Sequence, residues 1–237
     1  MTKRYWWVII AYIIMQFSGI LFAPVLAAVF SISINEAATY WTIISFILGL
    51  IAVLILMKPD MQRPMHRDAS SIGGIVLWSV LGLFMAYFSQ GIAAMIEIEL
   101  LGIDPGSENT QLIMDITRAT PLFMIIPMFI APILEEIIFR KIIFGSLYKK
   151  MNFFFAALLS SFIFGIIHGE PLHILIYASM GFVFAFLYVK TKRIIVPIIV
   201  HMALNSLVVL VQYNLSPEDL ERMMKQLEEM QMILIGG

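Results

Sequence analysis

The sequence predicts an all-α protein, a polytopic membrane bundle of seven transmembrane helices, or eight. Three observations carry this expectation. Of the 237 residues, 61% are hydrophobic and 13% charged, whereas a soluble domain carries about a quarter charged residues. The mean hydropathy is +0.94. Apolar stretches near 5–30, 39–57, 71–96, 121–149, 152–168, 172–189 and 194–213 cross, or nearly cross, a hydrocarbon core of about 30 Å that needs roughly 20 helical residues. The chain 1–237 is expected to form a single integral membrane domain, with no repeat or low-complexity tract.

The first stretch follows Lys3 and Arg4 and ends in small residues, as a signal peptide does. Its apolar core is much longer than the roughly 7–15 residues of a signal peptide, so it is expected to stay as the first span. The segment 97–120 is too polar to span and is expected to hold a short interfacial helix before Thr120 and Pro121. The stretches 152–168 and 172–189 are short. Trp6, Trp7, Trp41, Trp78 and Tyr148 lie near several ends, as interfacial anchors do. In the tail, Ser216 is placed as N-cap and Pro217 at the first helical position, with acids in the first turn. Met and Leu at helical spacing predict an amphipathic surface helix over 216–234.

Among the 15 Lys and Arg residues, all but Arg118, Arg222 and Lys225 fall on one side of this arrangement. The positive-inside bias then puts the N-terminus in the cytosol and the C-terminus outside. With no cysteine there is no disulfide, thiolate nucleophile or Cys-based metal site. Nucleic acid is not an expected partner, because no exposed basic stripe carries interleaved aromatics.

Polar residues inside apolar spans are costly and mark function. Glu135 and Glu136 interrupt PLFMIIPMFIAPILEEIIFRKIIFGSLY; His168 ends FIFGIIH, and His201 and Asn205 sit in IIVHMALNS. An antiparallel hairpin turning near Lys150 and Met151 would bring Glu135 and His168 level, each roughly 23–25 Å from the turn. The first helix of that hairpin is longer than a bilayer needs, so it is expected to project into the cytosol. Glu135 would then lie about 10 Å below the inner interface, with His201 at about 12 Å. Glu136 and Arg140, at i and i+4, share a face and can pair. Gly165 and Gly169 allow close helix approach. The turn Gly169–Glu170–Pro171 must lie at the far surface or line a water-filled cavity, and the shortness of the flanking stretches favours the cavity. Glu170 is expected to serve that turn and His173 a helix entrance.

These groups suit hydrolysis. A carboxylate with an imidazole can deprotonate water, while an amide and a second imidazole can donate to an oxyanion. Glu135, His168 and His201 could equally ligate a metal ion, although no H-E-x-x-H helix is present.

The segments EEIIFR (Glu135 to Arg140), FGIIH (Phe164 to His168) and HMALN (His201 to Asn205), in this order in successive apolar helices, resemble the EExxxR, FxxxH and HxxxN motifs of the CAAX protease and bacteriocin-processing family, also called the Abi family. The likeness covers 132–212. It implies a glutamate-type intramembrane endopeptidase, with 121–213 as catalytic core and a conical cavity open toward the cytosol. By position, Glu135 and His168 would activate water, His201 and Asn205 would form the oxyanion hole, and Glu136, Arg140 and Phe164 would support the site. No cofactor or metal is expected. The substrate would be a membrane-associated peptide or protein with a hydrophobic or lipid-modified end, in a bacterial cell membrane. A non-catalytic membrane scaffold or bacteriocin-immunity protein is the alternative, and an ion-coupled transporter a third. The bland readings are helix-stapling hydrogen bonds for the four candidates and a structural ion pair for Glu136 and Arg140.

Overall fold

Every apolar stretch marked above is helical in the computed structural model, which describes residues 1–215 except Met65 and Pro105, and also Asp219, Arg222, Lys225 and Gln226. The expected tail helix over 216–234 lies, apart from those four positions, outside the described residues. Among the described residues there is no strand. The all-α membrane bundle is therefore the fold.

Helices α1 (Lys3–Phe17) and α2 (Gly19–Phe30) form one unit bent by 43° around Ser18. A Ser–Gly pair is a known place for a helix to bend. Ser18 Oγ donates to the Met15 carbonyl (3.0 Å) and accepts the Trp41 indole N–H (2.9 Å), while the Trp41 ring stacks on Phe22. Helix α3 (Ile34–Met61) begins at a capping box between Ser33 and Glu36. It packs antiparallel to α1, so closely that a Cβ on Gly49 would meet Met15 Sδ at 2.5 Å. Near its end Asp60 pairs with Arg4 and accepts from Tyr5.

Helix α4 (Ile72–Leu100) closes with a π turn, Ile96–Leu100. The interfacial helix expected within 97–120 is α5 (Glu108–Ala119), capped by Ser107 accepting from the Thr110 N–H at 2.9 Å. Then follow α6 (Pro121–Leu147) and α7 (Phe153–Ile167), a 3-10 turn at Pro171–His173, α8 (Ile174–Thr191) and α9 (Ile195–Asn214).

The span count departs from the expected seven. Five helices are long and apolar enough to cross a membrane, or six if the bent pair counts as one span. The shortfall is α7, apolar but only 15 residues long. It ends partway because Gly169, at φ +74, turns the chain in a left-handed conformation that other residues resist.

Helix α6 is the most buried of the spans and forms the axis. Its Leu134, Ile138, Phe139 and Ile142 join Val8, Tyr12, Phe46 and Val53 from α1 and α3 in one core. A second core links α4, α8 and α9 through Ala86, Phe184, Leu187, Val200 and Leu204. The α7–α8 crossing is tightest at Gly181, where a Cβ would lie 2.8 Å from Ser161 Oγ and 3.0 Å from its Cα. Gly181→Val is expected to destabilise the bundle by about 1–3 kcal/mol through overpacking, seen as a lowered thermal midpoint in detergent.

The helices alternate in direction, giving the molecule two unlike ends. Arg4 with Asp60, Lys192 with Asp68, and Arg193 Nε to the Ser70 carbonyl (3.0 Å) tie together the end that carries the basic residues. At the opposite end, Glu170 binds Ser107 and the Asn109 N–H, and Glu97 pairs with His173.

Candidate functional site

The site starts from the irregular backbone of α6. Two π turns, Ile126–Ile130 and Glu136–Phe144, interrupt it, and such bulges recur at functional sites. In the i→i+5 register of the first, the donor to the Pro127 carbonyl would be residue 132, a proline without an N–H. Asn205 Nδ2 on α9 supplies that donor instead, at 3.0 Å. One amide hydrogen of Asn205 is thereby fixed while its second remains available.

One helical turn further along, Glu136 is fully buried and bridges two partners. Its Oε1 lies 2.9 Å from His201 Nδ1 and its Oε2 3.1 Å from Arg140 Nε. Arg140 is itself buried, its guanidinium 4.3 Å from the Phe164 ring centroid and 5.0 Å from that of Phe184. Charges this deep persist only when paired, and cation–π contacts add to the pairing. The expected Glu136–Arg140 pair is thus present and extends to His201.

Glu135 turns to a different side of α6, and its Oε2 lies 3.7 Å from His201 Nε2. The His201 ring is stacked on Phe184 (5.0 Å, 27°) and held between the two carboxylates. At the C-terminal cap of α7, His168 Nδ1 sits 2.7 Å from the Phe164 carbonyl oxygen. A carbonyl only accepts, so Nδ1 carries the proton and Nε2 keeps its lone pair. Tyr177 stacks on the His168 ring at 4.2 Å.

Glu135, His168, His201 and Asn205 all line one cavity of about 1210 Å³, and Glu170 and His173 line it too. The turn after α7 therefore faces the cavity, as the short flanking stretches suggested. Glu136, Arg140 and Phe164 lie behind its wall. Among the described residues, no three His, Asp or Glu side chains form a set that could hold a metal ion.

Glu97 is a wall residue that the motifs do not include, and Glu170 and His173 do more than serve the turn and helix entrance expected of them. Glu97, buried at the end of α4, accepts the Leu175 and Ile176 N–H groups (3.0 and 3.3 Å) and pairs with His173 Nδ1 at 3.0 Å. It caps α8 from another helix. Glu170 accepts from Tyr177 Oη (2.6 Å), Ser107 Oγ (2.9 Å) and the Asn109 N–H (2.9 Å). Burial raises the Glu170 carboxyl, but these hydrogen bonds and His173 outweigh it and hold it below the usual range. Its stabilisation is therefore complete above the ordinary carboxylate pKa and fades only as pH falls through the depressed value, so the latch is intact at neutral pH. The signal for Glu97 was its place beside an apolar run, IAAMIEIEL. Glu97→Ala is expected to cost about 1–3 kcal/mol by orphaning buried donors, measured as a lower thermal midpoint.

The cavity's position differs from one expectation. On α1, α3, α4 and α8 its wall is formed by the part away from the basic end: Gln16 on α1, Asn35 and Thr39 on α3, Gln90 and Glu97 on α4, Ile176 and Tyr177 on α8. A cytosolic N-terminus and a cytosol-facing cavity therefore do not hold together.

Comparison with known proteins agrees with the motifs. The family described as type II CAAX prenyl endopeptidase Rce1-like matches residues 117–207. The candidate membrane peptidase YdiL of Bacillus subtilis is 45% identical, covering 100% of this chain and 99% of its own length. The membrane-embedded CAAX protease MroQ of Staphylococcus aureus is 31% identical, with 92% of each chain covered. No solved structure matches.

Proposed function

The chain belongs to the Rce1-like family of type II CAAX prenyl endopeptidases, and from that premise we propose that it cleaves peptide bonds inside the membrane through Glu135, His168, His201 and Asn205. The observation that carries this reading is the approach of Glu135 to His201, at 3.7 Å, in a cavity that His168 and Asn205 also line.

In the proposed reaction the Glu135 carboxylate and the free Nε2 of His168 orient a water and take its proton as it attacks the substrate carbonyl. The resulting oxyanion accepts from His201 Nε2 and the spare amide hydrogen of Asn205. Its collapse breaks the C–N bond, and the proton taken from water passes to the leaving nitrogen, releasing an amine and a carboxylate. His201 Nδ1 faces the Glu136 carboxylate, so a proton on Nε2 makes the ring an imidazolium. Glu136, between His201 and Arg140, and Glu135, beside His201 Nε2, together balance the charges of the imidazolium and the guanidinium. Glu136 and Arg140 are thus positioning residues. The apolar wall, with Phe46, Ile116, Phe123 and Ile126, suits a substrate with a hydrophobic or lipid-modified end. The basic end favours a cytosolic N-terminus, and the relatives from Bacillus and Staphylococcus favour a bacterial cell membrane.

Comparative peptidomics of cells making the wild-type protein or Glu135→Ala tests the reading. Peptides present only with the wild type support it and identify the substrate. Identical peptidomes, with the cellular phenotype retained by the variant, would instead indicate the non-catalytic scaffold.

A further inference from the structure

We propose that the cavity is loaded from the extracytoplasmic side of the membrane and takes peptide segments exposed there. The wall of the cavity is built from the parts of α1, α3, α4 and α8 farthest from the basic residues, and from α5, which lies wholly at that end. Asn35, Glu36 and Asp115 are exposed wall residues at this end. Among the described residues lining the cavity there is no Lys or Arg.

In the opposite direction the way is closed. Beyond Glu135 and His201 toward the basic end lie Phe139, Phe144, Phe164 and Phe184, all fully buried, with Arg140 packed against three of them. A further aromatic group, Phe144 with Tyr148, Phe153 and Tyr188, continues the seal. A polypeptide cannot reach the site from that side without unpacking this layer. Since Lys- and Arg-rich ends of membrane helices stay in the cytosol, the accessible side is the outer one. For the substrate, which rests on the peptidase reading, this means a translocated or externally exposed segment rather than a tail held in the cytosol.

The absence of cysteine makes the test direct. Single-cysteine variants Asn35→Cys and Asp115→Cys on the cavity side, and Arg67→Cys and Lys149→Cys on the basic side, are exposed to a membrane-impermeant maleimide in intact cells and again after the membrane is opened. The expected result is labelling of Asn35→Cys or Asp115→Cys in intact cells, with Arg67→Cys and Lys149→Cys labelled only after opening. Labelling of either basic-side variant in intact cells, or shielding of both cavity-side variants until opening, overturns the proposal. The readout needs no turnover, so its failure is separate from failure of the peptidase reading.

Discussion

Glu135→Gln is expected to insert and fold as the wild type does and to lose roughly 10²–10⁴-fold in turnover, the range for removing a general base. The amide keeps the shape of the carboxylate and its place 3.7 Å from His201 Nε2, but it can no longer take a proton from water. Because Glu135 is partly exposed to the cavity rather than sealed behind it, loss of its charge leaves little uncompensated in the core. The measurement is initial cleavage rate on a substrate found by peptidomics, beside the thermal midpoint in detergent. Full activity in this variant would remove Glu135 from the proposed chemistry. A large fall in thermal midpoint would mean that its role is structural.

Glu136→Ala is expected to show the reverse balance, a stability loss of about 3–5 kcal/mol, typical of breaking one partner of a buried pair. Arg140 would keep its charge among Phe139, Phe164 and Phe184 with no carboxylate at 3.1 Å, and His201 would lose its 2.9 Å partner. The double variant Glu136→Leu/Arg140→Met removes both charges and should recover much of the stability, since apolar replacements of buried pairs are often neutral or better. It should not recover turnover, because His201 stays without its carboxylate. Thermal midpoints of the two single variants and the double variant form the cycle that measures the coupling. If Glu136→Ala were as stable as the wild type, the buried network would not hold the bundle together.

The site was legible in the sequence because its residues break a strong pattern. A carboxylate pair, two imidazoles and an amide inside apolar helices have few structural excuses, and the helix order brings them together. Other features depend on contacts that no local pattern announces. Glu97 meets α8, and Glu170 meets α5, across long stretches of chain. The close pair Gly165 and Gly169 suggested one shared role, but the two differ. A Cβ on Gly165 would meet Ile174 at 3.0 Å, whereas Gly169 has open space around it and serves the turn. Hydropathy reads how apolar a stretch is, not where its helix stops, and so the short stretch 152–168 enters the expected seven although α7 has only 15 residues. The cavity's direction depends on how the helices are packed, so family likeness and charge bias gave conflicting expectations.

The aromatic layer beneath Glu135 has an electrical consequence. If the cavity opens outward as proposed, water filling it would carry the potential of the outside solution down to its floor, leaving a thin insulator between there and the cytosol. Most of the membrane voltage would then drop across Phe139, Phe164 and Phe184, at about 2.3 kcal/mol per elementary charge for each 100 mV. Arg140 and Glu136, buried beside those rings, would sit in that concentrated field. The rings packed behind the pocket would then also bar water, and with it protons, from crossing beneath the site.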